Sequence, residues 1–256
     1  NIEDIASGAI QLGFVQSDVM SYAYQGTRLF EESVTNFSTV AALYMEQVQI
    51  VTLNPDIKTV ADLEGKTVSI GASGSGVYFN ALDVLGAYGL TEEDINPQYQ
   101  DFATSVDSLK DGKIDAAFIV AGAPTTAVVD LASGNDIYLV SLDQEHIDAL
   151  IETSPYYSAY TITSDVYGTP EDCTTVAIAA VVVAGNDVSE DAVYDFVSTV
   201  FNNKGSLGHA KEAELDLEFA TSISDVPYHP GAARYFQEQG ITVPTASLGI
   251  SGISIW

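Results

Sequence analysis

The residues with the clearest potential for ligand binding form a glycine-rich segment, Gly71-Ala72-Ser73-Gly74-Ser75-Gly76, which we call the glycine loop. A β-branched run at positions 67–70 precedes the loop, and a helical pattern follows it. This order of strand, loop and helix brings several backbone N–H groups and the positive end of a helix dipole to one point, which favours an anion. The expected contacts to a carboxylate are Ser73, Ser75 and the N–H groups of Gly74, Gly76, Val77 and Tyr78.

The glycine loop resembles three known motifs, but in each case it lacks a residue that the motif requires. A P-loop requires Lys and then Ser or Thr at the positions of Val77 and Tyr78. A dinucleotide fingerprint requires glycine in place of Phe79, and a hydrolase nucleophile elbow requires glycine in place of Ser75. Without the P-loop lysine, a nucleotide triphosphate loses its main charge partner. A carboxylate is therefore the better prediction, and a glycine turn that binds no ligand is the alternative.

Positions 7–15 and 111–119 share one pattern, a helix-like run that stops at glycine and leads into an apolar strand. The matching residues are Gly8, Ile10 and Phe14 in the first copy and Gly112, Ile114 and Phe118 in the second. Two copies of the same unit indicate two similar lobes. The carboxyl ends of the strands in such lobes face a shared crevice, which is where open α/β sheets bind ligands.

Small or polar residues follow each copy of the repeat. We expect Gln16 and Ser17 to reach the ligand from the lobe opposite the glycine loop. The floor or rim of the same site is expected to comprise Gly122, Ala123, Pro124 and Thr125.

Strand and helix patterns alternate along the chain, which predicts an α/β fold with a mostly parallel sheet flanked by helices in each lobe. Among the predicted strands are two separate ones at positions 36–44 and 46–53, and a strongly β-branched one at 174–184. Turn residues near position 58 and a helix start after position 186 suggest the crossings between lobes. We therefore expect lobe 1 to comprise residues 1–58 plus 174–256, and lobe 2 to comprise residues 59–173.

Charge and composition exclude several classes of protein. The chain has 36 acidic and 8 basic residues among 256, a formal net charge of −28, which argues against nucleic acid or an anionic membrane surface as a partner. No apolar run is long enough for a transmembrane helix. The single cysteine, Cys173, allows neither an internal disulfide nor a thiolate metal cluster, and we expect it to be a small buried residue.

No combination of residues indicates catalysis. The three histidines, His146, His209 and His229, do not have metal-ligand spacing, so the sequence predicts no metal and no cofactor. Asp18 could receive a ligand ammonium group, but we expect it to cap the helix that follows. A cationic ligand held by some of the carboxylates is not excluded by charge. We expect a binding protein and not an enzyme, although an enzyme on the same two-lobed scaffold remains the rival interpretation.

Several segments in combination resemble the TAXI group of TRAP-transporter solute receptors. They are the glycine loop, Leu90-Thr91-Glu92-Glu93-Asp94-Ile95, the run from Leu109 to Phe118, Gly122-Ala123-Pro124 and His229-Pro230-Gly231-Ala232. Gln16-Ser17-Asp18 and Ala23-Tyr24-Gln25-Gly26 agree with the same group, so the resemblance spans essentially the whole chain.

The resemblance implies a two-lobed fold like that of type II periplasmic binding proteins, with a hinge that closes on the ligand. It further implies a monomeric, extracytoplasmic receptor, periplasmic or anchored on the cell surface, that delivers a small carboxylate to a membrane permease. Glutamate, glutamine and 2-oxoglutarate are the ligands associated with the group. The receptor of an ATP-driven (ABC) importer is the alternative. Members of the group begin with a strand and a glycine-rich loop ahead of the segment that starts at Asn1, so we expect lobe 1 to lack one βα unit, which leaves ligand binding by this chain in question.

Overall fold

The computed structural model describes residues 1–248 as a succession of helices and strands. The strands are β1 (Leu12–Gln16), β2 (Phe37–Thr52), β3 (Thr67–Ser69), β4 (Asn96–Gln98), β5 (Ala116–Ala121), β6 (Tyr138–Leu139), β7 (Tyr157–Ile162) and β8 (Cys173–Gly185). The α-helices are α1 (Ile2–Ala6), α2 (Ser17–Gln25), α3 (Gly76–Ala87), α4 (Phe102–Lys110), α5 (Thr126–Ala132), α6 (Gln144–Thr153), α7 (Glu190–Asn202), α8 (Leu217–Ala220) and α9 (Pro230–Glu238). Short 3-10 turns lie at Val60–Leu63, Glu92–Asp94, Ser164–Val166 and Ala210–Glu214.

The chain divides into two compact units. Unit 1 comprises Asn1–Tyr44 and the described residues from Ala179 on, and unit 2 comprises Met45–Ile178. The boundaries predicted from the sequence are at position 58, beyond the end of β2, and at position 174, near the start of β8. The structure places the changes inside these strands because residues 47–52 of β2 pair with β5 and residues 173–178 of β8 pair with β7, which are both elements of unit 2. The predicted lobe 1 also includes residues 249–256, which lie outside the described residues.

Unit 1 is built on antiparallel pairing of β1 with the last part of β8, from Leu12 opposite Ala184 to Gln16 opposite Ala180. Helix α9 packs against α7. The buried side chains of Tyr228 and Phe236 meet edge to face, with ring centroids 5.9 Å apart. Tyr228 also forms parallel bridges to Thr39 and Thr245, so it ties three chain segments into one core.

Unit 2 is a three-layer α/β structure. Strand β3 pairs in parallel with both β4 and β5, and β5 pairs antiparallel with β2. Alternate residues of β5 face opposite sides of the sheet: Ala116, Phe118 and Val120 belong to one apolar core, and Ala117 and Ile119 belong to the other. Helices α3 and α6 cover the first core, and α4 and α5 cover the second. The α/β fold class predicted from the sequence is confirmed.

Two details of the predicted sheet are wrong. The stretches at 36–44 and 46–53 form one strand of 16 residues, β2, because Tyr44, Met45 and Glu46 continue the extended backbone. The sheet is mixed and not mostly parallel, since β1 and β7 run antiparallel to β8, and β5 and β6 run antiparallel to β2. The two long strands, β2 and β8, serve both units, and each of these short neighbours runs antiparallel to the long strand with which it pairs.

The internal repeat is confirmed by its hydrogen bonds. In the first copy the N–H of Gly8 donates to Ile5 O (3.0 Å) and that of Ala9 to Asp4 O (2.8 Å). In the second copy the N–H of Gly112 donates to Leu109 O (3.1 Å) and that of Lys113 to Ser108 O (2.9 Å). Gly8 and Gly112 have φ values of 76° and 66°, the left-handed conformation that ends a helix in a Schellman-type turn. Both copies then enter a strand, β1 in unit 1 and β5 in unit 2.

Candidate functional site

The carboxyl ends of the three parallel strands of unit 2 meet at one edge of the sheet, which we call the carboxyl edge. Strand β3 leads into the glycine loop, β4 leads to Tyr99 and Gln100, and β5 leads into residues 122–125. Because β3 pairs in parallel with β4 and β5, these connections lie on the same side of the sheet. This is the edge where open parallel sheets bind ligands.

The glycine loop makes a tight turn between β3 and α3. Gly71 and Gly74 have φ values of 80° and 76°, where a residue with a side chain is strained. A Cβ on Gly71 would lie 2.7 Å from Cβ of Val77, so the start of the loop is also packed against the first turn of α3. Ala72, Ser73 and Gly74 are exposed. The turn closes with the N–H of Ser75 donating to Ala72 O at 2.9 Å.

The first turn of α3 presents free backbone donors. Ser75 is the N-cap, and its Oγ accepts the N–H of Tyr78 at 3.3 Å. The N–H groups of Gly74, Gly76 and Val77 have no acceptor among residues 1–248. No carboxylate lies in the first turn of this helix. The positive end of the helix dipole is therefore not neutralised locally, while Tyr78 N–H is already engaged in the cap.

Residues 122–125, which include the cis peptide bond Ala123-Pro124, form a second loop at the carboxyl edge, here called the proline loop. The N–H of Ala123 donates to Gln47 Oε1 at 2.7 Å. Nε2 of Gln49 donates to Thr125 Oγ1 (3.0 Å), and Thr125 Oγ1 donates to Gly122 O (3.0 Å). These contacts use the polar groups of the loop internally, so the loop is suited to shape a rim and not to donate many ligand hydrogen bonds.

Tyr167 links the proline loop to β2 through its hydroxyl group. Its hydroxyl donates to Gln49 Oε1 (2.5 Å) and accepts the N–H of Thr125 (2.7 Å). Burial raises the pKa of Tyr167 above its usual value, so the phenol stays neutral and able to donate at neutral pH. Gln47 and Gln49 are fully buried, and each has its amide engaged.

Gln47, Gln49 and Tyr167 are not among the site residues predicted from the sequence. The available signal was the period of two in Glu46-Gln47-Val48-Gln49-Ile50, where amides occupy one face of an otherwise apolar strand. Buried amides must have partners, so such a face implies a polar structure packed against it. Gln100 is also absent from the predicted site residues, and its Oε1 is buried without a hydrogen-bond partner among the described residues.

Gln16 and Ser17 lie in unit 1, where β1 ends and α2 begins. Ser17 is buried at 5% exposure, and its Oγ has no hydrogen-bond partner among residues 1–248. The expectation that Asp18 caps α2 is wrong: the N-cap is Gln16, and Asp18 lies inside the first turn with its Oδ1 accepting the N–H of Val19 at 2.7 Å. The structure gathers the glycine loop and proline loop at one edge of unit 2. The participation of Gln16 and Ser17 stays a prediction.

The remaining candidates have structural roles. His229 is the N-cap of α9 and accepts the N–H of Gly231, and His146 stacks on Tyr88 with ring centroids 3.8 Å apart. Cys173 is buried, as predicted, and burial raises its pKa to about 11, which keeps it an unreactive thiol. Within residues 1–248 no group of three or more His, Cys, Asp or Glu side chains could hold a metal ion. None of the helices described here has the length and apolarity to cross a membrane.

Two α/β units through which β2 and β8 both pass define a fold of the periplasmic-binding-protein type, in its two-lobed type II-like form. The periplasmic aliphatic sulphonate binding protein SsuA of Escherichia coli is similar, with a TM-score of 0.50, 18% sequence identity, and coverage of 93% of this chain and 75% of SsuA. A protein of Bordetella bronchiseptica RB50 is also similar, with a TM-score of 0.52 and 16% sequence identity. The match covers 85% of this chain and 62% of that protein. At these identities the likeness establishes the fold alone.

The sequence itself assigns the family. The NMT1-like family matches residues 1–240, and the chain belongs to it.

Proposed function

We propose that the protein is an extracytoplasmic solute-binding subunit of an importer and that it captures a small organic oxyanion, a carboxylate or a sulfonate. The observation that carries the proposal is the junction of the glycine loop and α3, where the N–H groups of Gly74, Gly76 and Val77 have no acceptor within residues 1–248 and no carboxylate lies in the first turn of the helix. Ser73 is exposed beside them and adds a hydroxyl donor. Helix N-termini that follow a glycine loop are established anion sites.

The net charge requires that the contacts to such an anion be short. A surface of formal charge −28 repels an oxyanion at long range, but at physiological salt the screening length is only about 8 Å. Backbone N–H dipoles act within hydrogen-bond distance and carry no counter-charge that must be desolvated. The proposed site therefore depends on local dipoles, which remain effective in a strongly acidic protein.

The proline loop contributes shape. Gln47 and Tyr167 each accept a backbone N–H of the loop at 2.7 Å, and Gln49 donates to the side chain of Thr125 at 3.0 Å, so the rim needs little ordering when a ligand arrives. A pre-organised rim lowers the entropic penalty of binding. Gln100 adds a buried acceptor at the same edge, and an ammonium group of the ligand would supply its missing donor. An amino acid such as glutamate meets both requirements, since its carboxylate fits the glycine loop and its ammonium fits Gln100.

We further propose that Gln16 and Ser17 contribute to binding from unit 1. The unsatisfied Oγ of Ser17 supports this, because a buried hydroxyl without a partner costs free energy that a ligand hydrogen bond would recover.

The proposal covers two classes of importer, TRAP transporters and ABC importers. None of the comparisons supports a TRAP transporter in particular, and the alternative, the receptor of an ABC importer, is the better supported of the two. SsuA is described as a periplasmic binding protein, which supports an extracytoplasmic location and a binding role without catalysis. Identification of the permease encoded beside this protein would decide between the classes.

Binding is tested by thermal denaturation of the purified chain with a panel of dicarboxylates, amino acids, 2-oxoacids and alkanesulfonates. A ligand at about a hundred times its dissociation constant raises the free energy of unfolding by roughly 2.7 kcal/mol, which is readily detected. The variant Ser73→Asp places a carboxylate in the glycine loop and should remove the shift. The control Ala192→Asp adds the same charge at an exposed position of α7 in unit 1 and should retain it.

Absence of any shift across the panel, or equal shifts in Ser73→Asp and Ala192→Asp, would overturn the assignment of the glycine loop. Conversion of a bound compound to a product, followed by mass spectrometry, would overturn the transport role in favour of an enzyme.

A further inference from the structure

A cavity of about 330 Å³ lies at the edge of unit 2 opposite the carboxyl edge, and we call it the distal cavity. Strand β2 defines the two edges: Gln47 pairs with the end of β5, and Thr52 pairs with its start. The cavity forms beyond Thr52, between residues 55–58, strand β6 and residues 169–172. It is therefore separate from the proposed oxyanion site.

The walls of the distal cavity are braced by local hydrogen bonds. The N–H of Lys58 donates to Asp62 Oδ2 at 2.9 Å, as part of the capped turn at Val60–Leu63. On the other side, Asp172 Oδ1 accepts the N–H of Ser164 (2.7 Å), and Thr169 Oγ1 donates to Glu171 O (3.0 Å). The backbones that carry the charged residues of the cavity are thus fixed before any ligand binds.

Three charged residues line the cavity, Lys58, Glu171 and Asp172, and Lys58 forms no ion pair with either carboxylate. The ammonium of Lys58 forms no ion pair, and the carboxylate of Glu171 accepts no hydrogen bond, within residues 1–248. A free lysine is notable here because the chain has 8 basic and 36 acidic residues. The rest of the lining is mixed: Ile57, which is 3% exposed, Leu139 and Pro170 are apolar, and Tyr138, Ser141 and Thr169 are polar.

We propose that the distal cavity is a second small-molecule site and that it binds a zwitterionic amino acid. The carboxylate of the ligand pairs with Lys58, its ammonium pairs with Glu171, and its apolar side chain packs on Ile57 and Leu139. The volume lies at the small end of the range of ligand pockets, which suits a single amino acid and not a peptide or nucleotide. Lys58 and Glu171 would each gain a partner of opposite charge from the ligand, while Asp172 already accepts the N–H of Ser164.

The test is a titration of the isotope-labelled protein with L-leucine, followed by the backbone amide signals of Ile57, Leu139 and Thr169 in NMR spectra. Two analogues carry one charge each: 4-methylpentanoate has only the carboxylate, and 3-methylbutylamine has only the ammonium. We expect leucine to shift these signals with an affinity at least about tenfold higher than either analogue, since each charge-assisted contact is lost in one of them. Signals of Gly74 and Gly76 report separately on the oxyanion site.

Lys58→Met and Glu171→Gln should each weaken leucine binding at least about tenfold. Lys110→Met removes the same charge from an exposed position on α4 and should change the affinity by less than about twofold. Thermal melts establish that all three variants are folded. The proposal is overturned if the signals of the cavity do not move, if either analogue binds as well as leucine, or if Lys58→Met behaves like Lys110→Met.

Discussion

Phe14 and Phe118 occupy the same position in the two copies of the internal repeat, yet Phe14 is 52% exposed and Phe118 is 1% exposed. The local backbone does not explain the difference, because the turns that precede β1 and β5 form the same hydrogen bonds. The neighbours do. Strand β5 lies between β2 and β3, and helix α3 packs against it. Strand β1 ends the strand order and pairs with β8 alone among the described strands.

This pair gives a direct prediction about stability. Phe118→Ala should lower the free energy of unfolding by about 3–5 kcal/mol, because it leaves a cavity in a closed core. Phe14→Ala should change it by less than about 1 kcal/mol, since the ring is half exposed. Urea denaturation followed by circular dichroism measures both. Similar losses in the two variants would contradict the different burial of the two rings.

The support of the proline loop is tested by Tyr167→Phe. The variant removes the hydroxyl that joins Gln49 Oε1 to the N–H of Thr125 and leaves both groups without that partner. We expect a loss of about 1–3 kcal/mol in the free energy of unfolding, together with weaker binding of any ligand found in the panel. Tyr160→Phe is the control, since the Tyr160 hydroxyl has no hydrogen bond within residues 1–248 and its half-buried ring packs against the same core as the buried ring of Tyr167. Equal effects in the two variants would show that the hydroxyl of Tyr167 does not support the loop.

The glycine loop should tolerate alanine poorly at Gly71. This residue has φ 80°, and an added Cβ would lie 2.7 Å from Cβ of Val77. Gly65 has φ 72° with no atom within 4 Å of an added Cβ, so Gly65→Ala measures the backbone strain alone, about 1–2 kcal/mol. Gly71→Ala should lose clearly more free energy of unfolding, because a steric clash adds to the same strain. Chemical denaturation of the two variants side by side provides the comparison, and equal losses would show that the loop can move away from Val77.

Protonation of His229 should lower the free energy of unfolding in mild acid. Its ring accepts the N–H of Gly231 at Nδ1 and donates from Nε2 to Val188 O, and burial lowers its pKa below the usual value. The unfolded chain therefore binds a proton at a higher pH than the folded protein does. The free energy of unfolding should fall as the pH drops below about 6.5, with a slope of at most about 1.4 kcal/mol per pH unit for one proton.

The measurement is urea denaturation at pH 7, 6 and 5 for the wild type and for His229→Asn, which keeps a good N-cap residue but removes the titrating group. The slope between pH 7 and pH 5 should be smaller in His229→Asn than in the wild type. His209→Asn, at an exposed position, should retain the slope of the wild type. An unchanged slope in His229→Asn would mean that another group causes the acid sensitivity.

Much of the local structure could be predicted from the sequence. Thr91 and Asp94 have the three-residue spacing of a capping box, and they form one, with the N–H of Thr91 donating to Asp94 Oδ2 at 2.7 Å. The helix after the glycine loop and the strand before it are present, and the helix in each repeat copy ends at a left-handed glycine. These features depend on interactions between residues a few positions apart, so their signal is contained in a short window of sequence.

The support of the candidate site could not be predicted in the same way. Gln49 and Tyr167 are 118 positions apart, and Gln47 meets Ala123 across 76 positions. Neither pairing leaves a trace in local patterns, apart from the unusual amides in an apolar strand. The direction of strand pairing could not be predicted either, because the antiparallel partners of β2 and β8 come from segments distant in sequence.

The sequence by itself determined the α/β class, the two related units, the strongly acidic surface and the glycine loop with its helix, because each of these follows from composition or from contacts within a few residues. Only the tertiary structure decided which strands enclose Phe118 and leave Phe14 exposed, which buried amides hold the proline loop, and which charges face the distal cavity. Those outcomes depend on which distant segments pack together, and that choice is made by the free energy of the whole fold and not by any local window.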